Sequence, residues 1–143
     1  MNIVYFDLET QRTANDVGGW DRKTDMGMSI AVTYSSHLNE YRIYSEKRVD
    51  DLIYQLLRAD LVVGFNVVNF DYQVLMGYTI LDLPSQLRTL DLLVEVEEAE
   101  GGQAPIKPFF PNGCSLIGSL KTYANYPLYA AGLRDKQQRV LIA

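Results

Sequence analysis

The amino-acid sequence predicts an α/β fold built on a mixed five-stranded sheet, with three antiparallel strands first, parallel strands afterwards and helices on the flanks. Two observations predict this order. Three strand-like segments with apolar or alternating side chains precede residue 48 and have no long helical pattern between them. Beyond that point, apolar side chains at helical spacing alternate with short apolar runs. Such alternation is typical of parallel strands, because a parallel pair needs a long crossover connection.

The first three strands follow from local side-chain patterns. Residues 2–8 form a β-branched and aromatic run that is typical of a buried strand. Residues 11–27 are polar and contain two consecutive glycines, so they are predicted to form a long loop. Residues 28–35 alternate between larger and smaller side chains, and residues 41–44 follow after a short turn. A short turn favours antiparallel pairing of the second and third strands.

Helices and two further strands are predicted beyond residue 48. Residues 49–58 carry apolar side chains at helical spacing, with acidic residues near the start and an arginine at the end. Residues 61–65 form a short apolar run that suits a central parallel strand. A second helix is predicted over 70–78, a fifth strand over 87–93 and an acidic helical stretch over 94–100.

Composition places the chain among ordinary globular proteins. A length of 143 residues fits one domain with one core, and 48% hydrophobic residues are ordinary for such a protein. No apolar stretch is long enough for a membrane span and the N-terminus lacks a signal-peptide pattern, so we expect a cytoplasmic location and no membrane partner. The single cysteine, Cys114, excludes an intrachain disulfide and a multi-cysteine zinc site.

Charge is unevenly distributed along the chain. The net charge of −5 argues against a large electrostatic footprint on nucleic acid. Residues 1–100 carry 17 acidic and 8 basic residues, whereas residues 101–143 carry 1 acidic and 5 basic residues and are rich in proline and glycine at their start. We therefore predict a core domain over 1–100 and an atypical or truncated, poorly ordered C-terminal segment over 101–143. Its basic residues indicate a solvated tail, a flank that contacts phosphate, or a segment foreign to the preceding domain.

Three carboxylates follow the ends of two apolar strands. Asp7 and Glu9 lie two positions apart in the first strand, so their side chains point to one face, roughly 6.6 Å apart along the strand. Asp71 follows the apolar run at 61–65, on a predicted strand-to-helix turn. Carboxylate oxygens are the ligands that Mg²⁺ and Mn²⁺ prefer, and two such ions can act on one phosphodiester. Without a metal the carboxylates would repel one another, so function explains the cluster better than structure does.

Two short motifs resemble those of a known nuclease superfamily. The run FDLET at residues 6–10 and the run NVVNFD at residues 66–71 resemble the first two motifs of the DEDD 3'–5' exonuclease superfamily, which has a ribonuclease H-like fold. The runs TQR at 10–12, VGGW at 17–20 and TLD at 89–91 resemble poorly characterised bacterial stand-alone members of this superfamily. The resemblance extends over about residues 1–95. The second motif belongs to the exonuclease branch and not to endonucleases of the ribonuclease H type.

The resemblance implies a catalytic site with two Mg²⁺ or Mn²⁺ ions. Asp7 would bridge both ions. Glu9 would bind one of them and contact the attacking water or the 3' end of the substrate. Asp71 would help to hold the second ion. These three residues are therefore the predicted catalytic and metal-binding set.

The resemblance also implies contacts with the 3' end of single-stranded DNA or RNA. It does not identify a protein partner. Thr10 would lie near the terminal nucleotide. Asn66 and Phe70 are candidates for substrate contact, but a positional role is favoured, in which Asn66 ties the turn and Phe70 packs the helix start. Asp91 follows a strand without matching a catalytic position, so we interpret it as structural.

One motif of the superfamily is missing. The third motif, Y-x-x-x-D or H-x-x-x-D on a late helix, is not expected after residue 80, and Ala131 stands four residues before Asp135. In the superfamily it supplies the fourth carboxylate and the residue that orients the attacking water. We therefore expect a metal-dependent 3'–5' exonuclease-like domain that is weak or inactive. The alternative is a catalytically inactive nucleic-acid-binding or protein-interaction module of the same fold.

Overall fold

The computed structural model describes residues 1–99, which form a five-stranded sheet with helices beside it. The strands are β1 (Ile3–Thr10), β2 (Met28–Ser35), β3 (Glu40–Ser45), β4 (Leu61–Gly64) and β5 (Thr89–Asp91). The α-helices are α1 (Ala14–Val17), α2 (Val49–Leu57), α3 (Tyr72–Leu75), α4 (Leu83–Gln86) and α5 (Leu92–Ala99). Turns of 3-10 helix lie at Trp20–Asp25 and Glu46–Arg48, and a π-helical turn lies at Val67–Asp71.

The strand order across the sheet is β3-β2-β1-β4-β5. β1 pairs with β2 and β2 with β3 in antiparallel orientation, whereas β4 lies parallel to β1 and β5 parallel to β4. Helix α2 provides the crossover that brings β4 back parallel to β1. The predicted α/β class with a mixed five-stranded sheet is therefore confirmed, and the arrangement is consistent with a ribonuclease H-like fold.

The hydrophobic core lies between one face of the sheet and helices α2 and α3. Alternate residues of β1, namely Val4, Phe6 and Leu8, belong to this core. The ring of Phe6 stacks on that of Tyr72 in α3, with the centroids 6.4 Å apart. Leu56 of α2 is fully buried in the same core. Burial of each such side chain contributes about 1.5–3 kcal/mol, so this face anchors β1 firmly in the centre of the sheet.

The opposite face of β1 carries Tyr5, Asp7 and Glu9. The ring of Tyr5 lies 6.0 Å from that of Tyr34 in β2, which in turn lies 4.9 Å from the ring of Tyr41 in β3. The alternation of side chains along a strand therefore separates the core residues of β1 from its two carboxylates. Both acidic side chains are half-buried.

Some element boundaries differ from those predicted. β1 continues to Thr10, so that both of its carboxylates lie within the strand. The helix predicted over 70–78 is a π-helical turn followed by the short α3, which ends at Leu75. The fifth strand ends at Asp91, because helix α5 begins at the next residue. β1 extends to Thr10 because it pairs with β2 as far as Met28, and the Asp91 carboxylate accepts from the N–H groups of Val68 in the π-helical turn and Leu93 in α5.

The segment predicted as a long loop, residues 11–27, contains the short helix α1. Thr13 caps this helix: its hydroxyl accepts from the N–H of Asp16 at 3.3 Å, and the Asp16 carboxylate accepts from the N–H of Thr13 at 2.8 Å. This reciprocal pair is a capping box with Asp in the place of Glu. The stem of the loop is closed by hydrogen bonds from the N–H of Gln11 to Gly27 and of Arg12 to Met26.

The predicted division of the chain at residue 100 and the predicted character of residues 101–143 lie outside the described residues. Within residues 1–99, no helix combines the length and the apolar character that crossing a membrane requires.

Candidate functional site

Asp7 and Glu9 lie at the C-terminal end of the central strand, on the face opposite the core. In the antiparallel pairing of β1 and β2, Asp7 is opposite Val32 and Glu9 is opposite Ile30. The register shifts between Glu9 and Thr10, where the strand has an irregularity. Such irregularities often lie beside functional sites, because they change the direction in which the following side chains point. The structure places the two carboxylates on one face of β1, two residues apart and near the C-terminal end of the strand.

Asp71 reaches the same strand from the other side. β4 pairs with β1 only from Ile3 to Tyr5, so the backbone of β1 beyond Tyr5 has no strand partner on that edge. The N–H of Leu8 would be left without an acceptor there, and it donates to the Asp71 carboxylate at 3.1 Å. Asp71 is thus fixed against the backbone between Asp7 and Glu9.

The turn between β4 and Asp71 has an unusual backbone conformation. The close packing begins at Gly64, where a Cβ atom would lie 2.1 Å from Val67 and 2.9 Å from the carbonyl oxygen of Phe6. Asn66 has a φ of 59°, a left-handed conformation that asparagine tolerates better than most residues. The π-helical turn Val67–Asp71 follows, and such turns often lie at functional sites. The backbone therefore turns sharply enough to carry a buried carboxylate back to β1.

The carboxylate of Asp91 fixes this turn through hydrogen bonds to the backbone. Its carboxylate accepts from the N–H groups of Asn66 at 2.7 Å, Val68 at 3.1 Å and Leu93 at 3.1 Å. The side chain is buried, with 6% of its surface exposed. These contacts support the interpretation of Asp91 as a structural residue, and they show that it links β5 to the turn before Asp71.

The electrostatic environment of Asp71 is unfavourable for a negative charge. Burial raises the pKa of the Asp71 carboxyl well above its ordinary value, and the negative charge of Asp7 raises it further. The hydrogen bond from Leu8 opposes this shift, while the charge of Asp91 adds to it. A buried carboxylate beside other carboxylates is costly unless a cation or hydrogen-bond donors offset the charge. The arrangement is therefore of the kind that a divalent cation would stabilise.

The predicted metal set is brought together only in part. The negative charges of Asp7 and Asp71 act on each other, and Glu9 lies on the same face of β1 as Asp7. Within the described part of the chain, however, no three acidic, histidine or cysteine side chains are gathered closely enough to hold a metal ion. The oxygen donors suit Mg²⁺ or Mn²⁺, so the two-ion site stays a prediction that requires the side chains to converge on a bound ion.

The predicted substrate-binding residues have structural partners. The hydroxyl of Thr10 donates to the carbonyl of Arg12 at 2.9 Å, which keeps the hydroxyl oxygen next to the start of the loop 11–27. Asn66 begins the turn described above, and its carbonyl accepts from the N–H of Phe70 at 3.0 Å. Phe70 is half-buried and packs against the core. Their roles toward a substrate stay predictions.

An exposed tryptophan that contacts Phe70 was not among the predicted site residues. Trp20 has 57% of its surface exposed, and its ring lies 6.3 Å from that of Phe70 in an edge-on arrangement. Phe70 immediately precedes Asp71. The available signal in the sequence was a tryptophan after two glycines in an otherwise polar loop, but its contact with a residue fifty positions away is not visible there.

Residues of the same loop line a polar cavity. It has a volume of about 500 Å³, and its charged lining residues include Arg12, Asp16, Arg22 and Asp25. Arg22 forms an ion pair with Asp25 at 2.7 Å, and the lining carries charges of both signs. This mixture gives the cavity no strong preference for an anion or a cation.

The expectation that no Tyr stands four residues before an Asp after residue 80 was wrong, because Tyr78 and Asp82 have this spacing. The hydroxyl of Tyr78 donates to Glu46 at 2.7 Å and accepts from the N–H of Met28 at 2.9 Å. Asp82 lies at the N-terminal end of α4, where its carbonyl accepts from Ser85. The pair therefore lies on a connection between two short helices and does not occupy the late-helix position of the third exonuclease motif.

No protein-family model matches the chain, and no curated protein matches it. Among solved structures, a family B DNA polymerase from the hyperthermophilic archaeon Pyrobaculum calidifontis is similar at 12% sequence identity, with a TM-score of 0.49. The alignment covers 94% of this chain and 22% of the polymerase chain. The assignment of the fold therefore rests on the sheet order, and the exonuclease resemblance rests on the two motifs.

Proposed function

We propose that the chain is a metal-dependent 3'–5' exonuclease-type domain that hydrolyses phosphodiester bonds at the 3' end of single-stranded DNA or RNA. The observation that carries the proposal is the position of Asp71. Its buried carboxylate is tied to the N–H of Leu8, between the two carboxylates of β1, at the end of the central strand. The two sequence motifs that resemble exonuclease motifs supply these three acidic residues.

Each acidic residue has a distinct part in this proposal. Asp7 and Asp71, whose charges already act on each other, would hold a divalent ion between them. Glu9, two residues further along the same face, would hold a second ion or orient the attacking water. When bound, Mg²⁺ or Mn²⁺ would make water a better nucleophile and stabilise the charge that develops on the phosphate.

The energetic cost of the site supports a functional origin. A fold stabilised for its own sake gains nothing from a buried carboxylate whose charge is opposed by its neighbours. The Leu8 N–H could be satisfied equally by a neutral side chain with a carbonyl oxygen, such as asparagine. A cation-binding role gives the negative charge a purpose that the hydrogen bond alone does not.

A second candidate function is a catalytically inactive module of the same fold that binds nucleic acid or protein. The observation that favours it is that residues 1–99 contain no closed group of three metal-ligating side chains. The absence of a match to the third motif in residues 101–143 points in the same direction. Such a module would bind its partner equally well with or without a divalent ion.

The test is a cleavage assay on 5'-labelled single-stranded DNA and RNA with Mn²⁺ or Mg²⁺. The protein is compared with Asp7→Asn and Asp71→Asn, and with Asp50→Asn as a control, since Asp50 is exposed in the first turn of α2. We expect a ladder of products shortened from the 3' end for the protein and the control, and loss of the ladder in both site variants. Equal cleavage by all four proteins, or none by any of them at high concentration, would overturn the proposal.

A further inference from the structure

Trp20 and Phe70 form an aromatic pair. Trp20 is the single tryptophan of the chain. More than half of its surface is exposed to solvent, although a tryptophan that serves only for packing is highly buried on average. Its one described ring contact is with Phe70, at a centroid distance of 6.3 Å and an angle of 60°. The exposed part of the indole is therefore available to a ligand.

The backbone before Trp20 holds the indole in this exposed position. Helix α1 ends at Gly18, whose φ of 95° is in the left-handed region. Gly19 has a φ of 143°, and a Cβ atom there would lie 2.6 Å from the Asp21 carboxylate. Other residues adopt these conformations only with strain. The N–H of Gly19 also bonds to the carbonyl of Ala14 at 2.8 Å, so the turn before the tryptophan is fixed.

The chain connects the aromatic pair to the segments that carry the three carboxylates. The loop 11–27 begins directly after β1, and its stem is pinned at Gln11 and Gly27 by a backbone hydrogen bond of 2.9 Å. On the other side, Phe70 belongs to the same π-helical turn as Asp71. Contact between Trp20 and Phe70 therefore connects the loop after Glu9 to the turn that carries Asp71.

We propose that the exposed face of Trp20, braced by Phe70, stacks on a nucleobase at the 3' end of the single-stranded substrate. This inference rests on the function proposed above and deepens it. Stacking on an aromatic ring binds bases with little dependence on their sequence, because every base has a π-face. A base inside a duplex has both faces covered by its neighbours, so the platform favours an unpaired end. The phosphodiester on the 5' side of the stacked nucleotide, which is the bond that 3'–5' hydrolysis breaks, would then lie toward the carboxylates.

The single tryptophan gives a direct measurement of stacking, because the intrinsic fluorescence of the protein at long wavelength comes from Trp20 alone. The fluorescence is titrated with a short single-stranded oligonucleotide, with AMP and with ribose 5-phosphate, in the presence of Ca²⁺ and separately of EDTA. We expect quenching by the oligonucleotide and by AMP, and none by ribose 5-phosphate, which has no base. An unchanged emission with an oligonucleotide that the protein cleaves would overturn the stacking proposal and leave the nuclease proposal intact.

Kinetics give a second readout with a matched control. We expect Trp20→Ala to raise KM for single-stranded DNA by about tenfold, with kcat almost unchanged, while Trp20→Phe keeps most of the affinity. Tyr54→Ala is the control, because Tyr54 is an aromatic residue on α2 with 61% of its surface exposed. The guanidinium of Arg58 lies over its ring. Equal KM values for Trp20→Ala and the control would overturn the proposal. Quenching by the oligonucleotide without any cleavage would support stacking and overturn hydrolysis.

Discussion

The carboxylate of Asp71 accepts a hydrogen bond from the backbone N–H of Leu8 at 3.1 Å, across sixty-three residues of sequence. This bond exists because β4 stops pairing with β1 at Tyr5 and leaves the next part of the central strand without a partner on that edge. The candidate site thus lies where the pairing of β4 with β1 ends. Burial raises the pKa of the Asp71 carboxyl, and the negative charge of Asp7, which lies near this bond, raises that pKa further.

Asp71→Asn is expected to stabilise the metal-free protein at neutral pH, by on the order of 1 kcal/mol. Because the pKa of Asp71 is raised above 3.8 in the folded state, ionisation favours the unfolded chain. The protein keeps its full stability below that ordinary value and loses part of it as the pH rises through the raised pKa. Asparagine removes this loss and still offers a carbonyl oxygen to the N–H of Leu8.

The measurement is urea denaturation in EDTA between pH 3.5 and pH 8, with Asp50→Asn as the control for loss of one negative charge. We expect the advantage of Asp71→Asn to vanish toward the acid end of this range and to be absent from the control. The contrary result is an Asp71→Asn variant with a lower free energy of unfolding than the protein, by the same amount at neutral and at acid pH. The charge of Asp71 would then carry no energetic penalty.

Asp91→Ala is expected to destabilise the fold by about 2–3 kcal/mol, because three buried or half-buried N–H groups lose their acceptor. These groups belong to Asn66, Val68 and Leu93. Asp91→Asn keeps one acceptor oxygen and should lose less. The quantity to measure is the free energy of unfolding for both variants, and equal losses would mean that the acceptor network is not what holds this turn.

The same pair of variants separates structure from catalysis. Asp91→Asn should keep the metal dependence of any cleavage activity, since its side chain faces the turn and not the strand end. If Asp91→Asn folded normally but lost all cleavage at saturating Mn²⁺, Asp91 would belong to the metal site and its interpretation as structural would be wrong.

Local patterns predicted the parts of the fold that depend on neighbouring residues. The period of two along a strand predicted that Asp7 and Glu9 share one face of β1, and Phe6 and Leu8, at the positions before and between them, lie in the core on the other face. The apolar face of α2 was likewise visible as a spacing of three and four residues. The mixed sheet then followed from the order of these elements.

Other features depend on contacts between distant residues and could not be predicted in this way. The π-helical turn before Tyr72 is held by Asp91, twenty or more residues later in the chain. The contact of Trp20 with Phe70 depends on where the stem of the loop 11–27 closes. A polar loop with two glycines indicated only a long connection, although the residue after those glycines became the strongest candidate for substrate contact.

The most direct test of the proposed site is Mn²⁺ binding followed by electron paramagnetic resonance, in which the six-line signal of free Mn²⁺ falls as the ion binds. The titration compares the protein with Asp7→Asn, Asp71→Asn and the control Asp50→Asn, each shown to be folded by circular dichroism. We predict that the protein and Asp50→Asn remove free Mn²⁺ in proportion to their concentration, and that each site variant weakens this binding by at least about tenfold, equivalent to about 1.4 kcal/mol. Equal binding by all four proteins, or no binding by any of them, would contradict a metal site between Asp7 and Asp71.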